Sequence, residues 1–118
     1  MTNDEYKEIF HNDVLSKQEP IFLEYFNGHF PRFAAQLDMY RNHLENENIK
    51  LVYDIGTWFP FSSYYFYLNN HASIFCGSIE DDIHKQYNKD ITYKKMNLCR
   101  PEPMKPADLV ICTECIEH

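Results

Sequence analysis

The sequence predicts an α/β chain, with N-terminal helices followed by a parallel sheet of about four strands. Three observations predict it. Residues 4–47 place apolar side chains at helical spacing, residues 49–112 contain four short apolar runs, and polar or Pro-rich segments separate those runs. Strand, helix, strand, helix, strand, loop, strand is the alternation that builds a parallel sheet with helices on its faces.

Residues 4–16 and about 20–47 are predicted helical. In the second stretch Ile21, Phe22, Tyr25, Phe26, Phe30 and Phe33 recur at steps of three and four, and Leu37, Tyr40 and Leu44 continue the stripe. Gly28 and Pro31 are expected to break it into two helices near residues 28–31. The expected role of residues 1–48 is a helical layer on the sheet, the alternative being a lid that contacts substrate. Leu51–Ile55 is a short apolar run ending at Gly56, the form of a buried parallel strand. Residues 61–69 follow as a helix, Ala72–Cys76 as a second strand, residues 80–89 as a polar helix, Ile91–Leu98 as a third strand and Ala107–Cys112 as a fourth. The segment 101–106 carries three prolines, which remove backbone donors, so it reads as a loop.

Composition bounds the function. At 118 residues the chain allows one domain, and nine Tyr with nine Phe supply enough apolar area for a core. Net charge is −7, and the eleven basic residues are dispersed apart from pairs such as Lys94-Lys95. Nucleic-acid binders show a basic stripe, because neutralising phosphates supplies most of their affinity, so nucleic acid is disfavoured as a partner. The N-terminus has no basic segment followed by an apolar run, and no apolar stretch approaches the roughly 18 residues of a membrane span. Cys76, Cys99, Cys112 and Cys115, without a secretory signal, read as reduced thiols of a cytoplasmic protein that uses no membrane.

Two segments carry the chemistry. In Val52–Ser63 (VYDIGTWFPFSS) a strand ends in an acid, then Gly, then a helix start. Backbone at such a strand end can approach an adenosine-type ligand, and the following helix start offers unpaired N–H groups. The other segment, Ala107–His118, reads ADLVICTECIEH.

Asp54-Ile55-Gly56-Thr57 resembles motif I of class I S-adenosylmethionine (SAM)-dependent methyltransferases, D-hydrophobic-G-x-G-x-G. Gly56 is kept, whereas Trp58 and Pro60 stand where the second and third glycines would be. Ala107–His118 is similar to the F-D-L-V-x-x-x-E-V-L-E-H segment around strand four of that family. The resemblance spans residues 49–118, with both motifs in the family's order. It implies a Rossmann-like fold, SAM as cofactor, and methyl transfer to oxygen or nitrogen of a small molecule. DIGTWFP also resembles methyltransferases of bacterial surface-polysaccharide loci, which implies a sugar or polysaccharide precursor as acceptor.

The residues implied for the cofactor are Asp54, Gly56, Thr57, Ser78 or Glu80, Asn97, Cys112 and Thr113. Ser78 stands at the place of the family's ribose-binding acid, 22 residues beyond Gly56, and Glu80 or Asp81 could serve after a small register change. The alternative is that Glu80, Asp81 and Asp82 only charge the first turn of a helix. Asn97 stands at the place of the family's adenine-contacting Asp, and its amide oxygen could accept the same bond; otherwise it is an ordinary strand-end Asn. Glu114, Glu117 and His118 form E-x-x-E-H, and on a helix starting near residue 114 they share one face. They could hold Mg²⁺, Mn²⁺ or Zn²⁺, an arrangement similar to the metal segment of plant small-RNA 2′-O-methyltransferases and ubiquinone-pathway O-methyltransferases. His118 is also the candidate general base. Cys112 and Cys115 form C-x-x-C without a second such pair, so core cysteines are expected rather than zinc.

Three rivals remain from the sequence: a non-catalytic binding module of degenerate fold, a metal-assisted RNA 2′-O-methyltransferase, and a nucleotide-binding oxidoreductase. The methyltransferase class has about seven strands and four are readable here. The expectation is therefore a half-domain truncated after strand four, a poor catalyst by itself, prone to self-association through an exposed sheet edge.

Overall fold

The structure is a computed structural model that describes residues 1–56, 60–78, 91–95 and 105–112. The chain divides into two compact units, Met1–Glu47 and Asn48–His118.

The first unit is helical. Helix α1 (Asn3–Asp13) opens with a capping box: the Thr2 hydroxyl accepts from the Glu5 N–H at 3.1 Å, and the Glu5 carboxylate accepts from the Thr2 N–H at 3.2 Å. A single 3-10 turn, Leu15–Lys17, leads into α2 (Pro20–Leu44), which starts on a proline whose missing N–H would have had no intrahelical partner anyway. Helix α2 runs unbroken through Gly28 and Pro31, which corrects the expected division into two helices. An interior proline costs about 3 kcal/mol because it offers no N–H to the preceding turn. Phe22 and Phe26 before it, and Phe33, Leu37 and Tyr40 after it, are all buried on one stripe. Each such side chain contributes about 1.5–3 kcal/mol on burial, so the stripe outweighs the proline. The rings of Phe26 and Phe10 lie 5.0 Å apart, and those of Phe26 and Phe33 stack at 5.6 Å.

The second unit is a parallel sheet of β1 (Leu51–Ile55), β2 (Ser73–Ser78), β3 (Ile91–Lys95) and β4 (Leu109–Ile111), in the order β3-β2-β1-β4. Helix α3 (Tyr64–Asn70) connects β1 to β2 and packs on β2. It ends where His71 takes the left-handed conformation (φ 56) and donates its N–H to the Phe66 carbonyl. The polar segment 80–89, expected helical, lies outside the described residues, as do residues 96–98 at the expected end of β3 and 101–104 of the Pro-rich loop.

Residues in register across parallel strands share a face. Val52, Ile74 and Ile91, all buried, form one such row with the half-buried Leu109, and the buried Asp54, Cys76 and Ile111 belong to the next. Ser63, just before α3, donates to Asp54, so the β1–β2 crossover lies over this face. The opposite face carries Tyr53 and Phe75, with rings 5.5 Å apart in an edge-on arrangement, and Val110, which is 59% exposed. There the Tyr53 hydroxyl donates to the Lys105 carbonyl in the β3–β4 connection. Ser63 and Lys105 therefore lie over opposite faces of the sheet. The strand order is that of a doubly wound α/β sheet, with the reversal between β1 and β4.

Strand β4 departs from expectation. It spans three residues, and of these only Ile111 is buried, so it is a half-open strand rather than the buried one the run ADLVIC predicts.

Candidate functional site at the strand reversal

In doubly wound sheets, ligands bind outside the carboxyl ends of the strands where the strand order reverses. Here that place is the pair of tips formed by β1 and β4. Asp54 is in register with Ile111, so the strand ends at Ile55–Gly56 and Ile111–Cys112 lie side by side, as the spacing of the two sequence motifs requires.

Gly56 turns the chain out of β1. Its φ of 82° lies in the left-handed region, where a Cβ would clash with the backbone and only glycine sits without strain. Its N–H donates to the Gly77 carbonyl at 2.7 Å and extends the β1–β2 ladder one residue beyond Ile55.

Asp54 is 4% exposed, on the face that α3 covers, and its Oδ2 accepts from the Ser63 hydroxyl at 2.6 Å. A hydroxyl donating to a buried carboxylate is one of the stronger hydrogen bonds available to a protein. Ser63 occupies the N-cap of α3, where a serine ordinarily accepts from the backbone of the first turn; here its side chain makes no capping bond. The sequence reading missed Ser63. Its signal was a serine placed just ahead of the aromatic run that forms α3, which reads as a cap and not as a partner for an acid nine positions earlier.

Beside Asp54 in the sheet is Cys76, a free thiol with no exposed surface. Burial first, and the neighbouring Asp54 charge second, push its pKa well above the usual 9.0, so the thiol stays protonated and unreactive. This matches the expected core cysteine. Cys112 does not: it lies just past the half-open β4, is exposed, and is disulfide-bonded. The expectation of four reduced thiols is corrected accordingly.

Asp108, the acid of the ADLV motif, works at the opposite end of the strands. Its Oδ2 accepts from the N–H groups of Lys50 at 2.8 Å and Leu51 at 3.0 Å, and its own N–H donates to the Leu51 carbonyl at 2.9 Å. It therefore staples the start of β4 to the start of β1 and sets the register that brings the two tips together.

No protein family, curated protein or solved structure matches the chain.

Of the residues expected to hold a cofactor, Asp54, Gly56 and Cys112 are brought to the paired tips, and Ser78 ends β2, the next strand along. Thr57, Glu80, Asn97 and Thr113 lie outside the described residues, as do Trp58 and the metal candidates Glu114, Glu117 and His118. Among the described residues no group of three or more His, Cys, Asp or Glu side chains could hold a metal ion. None of the described helices is long and apolar enough to cross a membrane. The described part of the site is a pair of adjacent parallel tips, with a left-handed glycine at the first and a buried acid behind it. Asp54 fits that role as a support to the tip, since its carboxylate is buried and engaged by Ser63.

Proposed function

We propose that the chain is a SAM-dependent methyltransferase, or the cofactor-binding portion of one, acting on an oxygen or nitrogen of a small molecule, with a sugar or polysaccharide precursor as the favoured acceptor. One observation carries the reading: the sheet reverses between β1 and β4, and the motif-bearing Asp54 and Gly56 stand at that reversal. A chance likeness of two short motifs would not require their strands to be neighbours, and they are in register.

Bound SAM would supply an electrophilic methyl carbon, which the acceptor's oxygen or nitrogen takes by in-line attack while the carbon–sulfur bond breaks and the sulfur leaves as a neutral thioether. The chain's part is positional. Gly56 lets the backbone leave β1 close to the ligand, the β2 end at Ser78 borders the ribose position implied by the resemblance, and the β4 tip at Cys112 closes the other side. Holding donor and acceptor aligned, away from water, is where most of the rate enhancement of such a displacement originates.

The competing reading, a non-catalytic module that keeps the architecture, is favoured by the burial of Asp54. Isothermal titration separates the two readings. Saturable binding of SAM and of its demethylated product, without binding of NAD, supports the enzyme. A chain that binds neither more tightly than about 1 mM, roughly 4 kcal/mol, overturns it.

A further inference from the structure

We infer that Ser63 is a positioning residue of the donor site, acting through Asp54 to hold the tip of β1 in its ligand-binding geometry; this rests on the methyltransferase reading above. Three observations carry it. Ser63 has no exposed surface, and Asp54 is 4% exposed, so the bond between them is made away from competing water. At 2.6 Å it links the penultimate residue of β1 to the residue that precedes α3, and so closes the segment 54–63 at its base. The N–H groups of Tyr64, Tyr65 and Phe66 already donate to the carbonyls of Pro60, Ser62 and Ser63, so the first turn of α3 makes no demand on the hydroxyl and leaves it to Asp54.

The sequence suggests what the bond replaces. Motif I holds its loop against the cofactor with three glycines, and here Trp58 and Pro60 stand in two of those places. One glycine is left to let the backbone turn, and the described residues on either side of 57–59 are both held by hydrogen bonds. Gly56 is fixed to β2 through Gly77, and Ser63 is fixed to β1 through Asp54.

The test is a pair of isosteric variants of the full 118-residue chain, Ser63→Thr and Ser63→Val. Both add the same volume to a buried position, so any difference between them reports the hydroxyl. SAM affinity is measured by titration calorimetry and folding by thermal melting. The expected result is that Ser63→Thr binds SAM within a factor of about 3 of the unsubstituted chain, while Ser63→Val binds about 10-fold or more weakly. In an Asp54→Asn background the gap between the two is expected to shrink to within about 3-fold, because the acceptor charge is gone. Equal affinity of the Thr and Val variants, with unsubstituted chain still binding, overturns this inference and leaves the methyltransferase reading standing. No saturable SAM binding by the unsubstituted chain overturns both.

Discussion

Removing the Asp108 carboxylate should loosen β4 from β1 and so part the two strand tips. Asp108 gives one oxygen to two backbone donors, Lys50 at 2.8 Å and Leu51 at 3.0 Å. Hydrogen bonds to a charged group contribute about 1.5–3 kcal/mol when sheltered, and less where water competes. Asp108 is exposed, so about 0.5–1 kcal/mol for each bond is the appropriate figure, giving about 1–2 kcal/mol for Asp108→Ala. In a domain of this size, each kcal/mol lowers the melting temperature by about 4–8 °C. Asp108→Asn keeps one acceptor oxygen and should lose roughly half as much. The assay is a circular-dichroism melt combined with amide exchange, in which Lys50 and Leu51 should exchange about 5–30-fold faster in the Ala variant. Amides of the β2–β3 ladder should change less, because Asp108 does not touch those strands. A variant that melts within about 1 °C of the parent, with unchanged exchange at Lys50 and Leu51, refutes the assignment of Asp108 as the staple of the strand pair.

Gly28 and Gly56 should respond oppositely to alanine. A Cβ at Gly28 meets nothing within 4 Å in the interior of α2, so Gly28→Ala should stabilise by about 1 kcal/mol, read as a higher urea midpoint. Gly56 sits at φ 82, so Gly56→Ala should destabilise by about 1–2 kcal/mol and weaken SAM binding in the same titrations. Phe26, with no exposed surface and rings of Phe10 and Phe33 against it, should cost about 3–5 kcal/mol when cut to Ala. Ile21, 59% exposed on the same helix, should cost no more than about 0.5 kcal/mol, and denaturant titration of the two variants compares them directly. The Cys76 thiol has its pKa raised by burial, so the folded chain holds that proton more tightly than the unfolded one. Its contribution is fully present below the unfolded value near 9.0 and declines as pH rises above it. Stability measured from pH 8 upward should therefore fall more steeply for the parent than for Cys76→Ala, and identical slopes would contradict the buried placement.

Much of the fold was legible because it is written in local periodicity. The run Leu51–Ile55 between Lys50 and Gly56 was read as a strand with the bounds the structure has, since apolar residues flanked by a charge and a glycine leave little freedom of register. Helix α3 was read as 61–69 and spans Tyr64–Asn70, the difference being a turn, Phe61–Ser63, that leads into it. The break expected at Gly28 and Pro31 failed because local propensity was weighed without the buried stripe on either side. Half of the candidate site was legible too: Asp54 and Gly56 were singled out from the motif, whereas the Ser63–Asp54 bond carries no local signature, because nothing in a serine before a helix says which way its hydroxyl will turn.

By itself, then, the amino-acid order determined that helices precede four short strands and that these strands lie parallel in one sheet, because side-chain periodicity acts within a few residues. Only the tertiary structure decided that β1 lies between β2 and β4, that Ser63 and Lys105 lie over opposite faces, and that Val110 is left open while Asp54 is buried. Those outcomes depend on hydrogen bonds and packing between residues up to 58 positions apart, such as Lys50 with Asp108. The free energy of such contacts is set by what the whole sheet brings together, and no short window of sequence contains it.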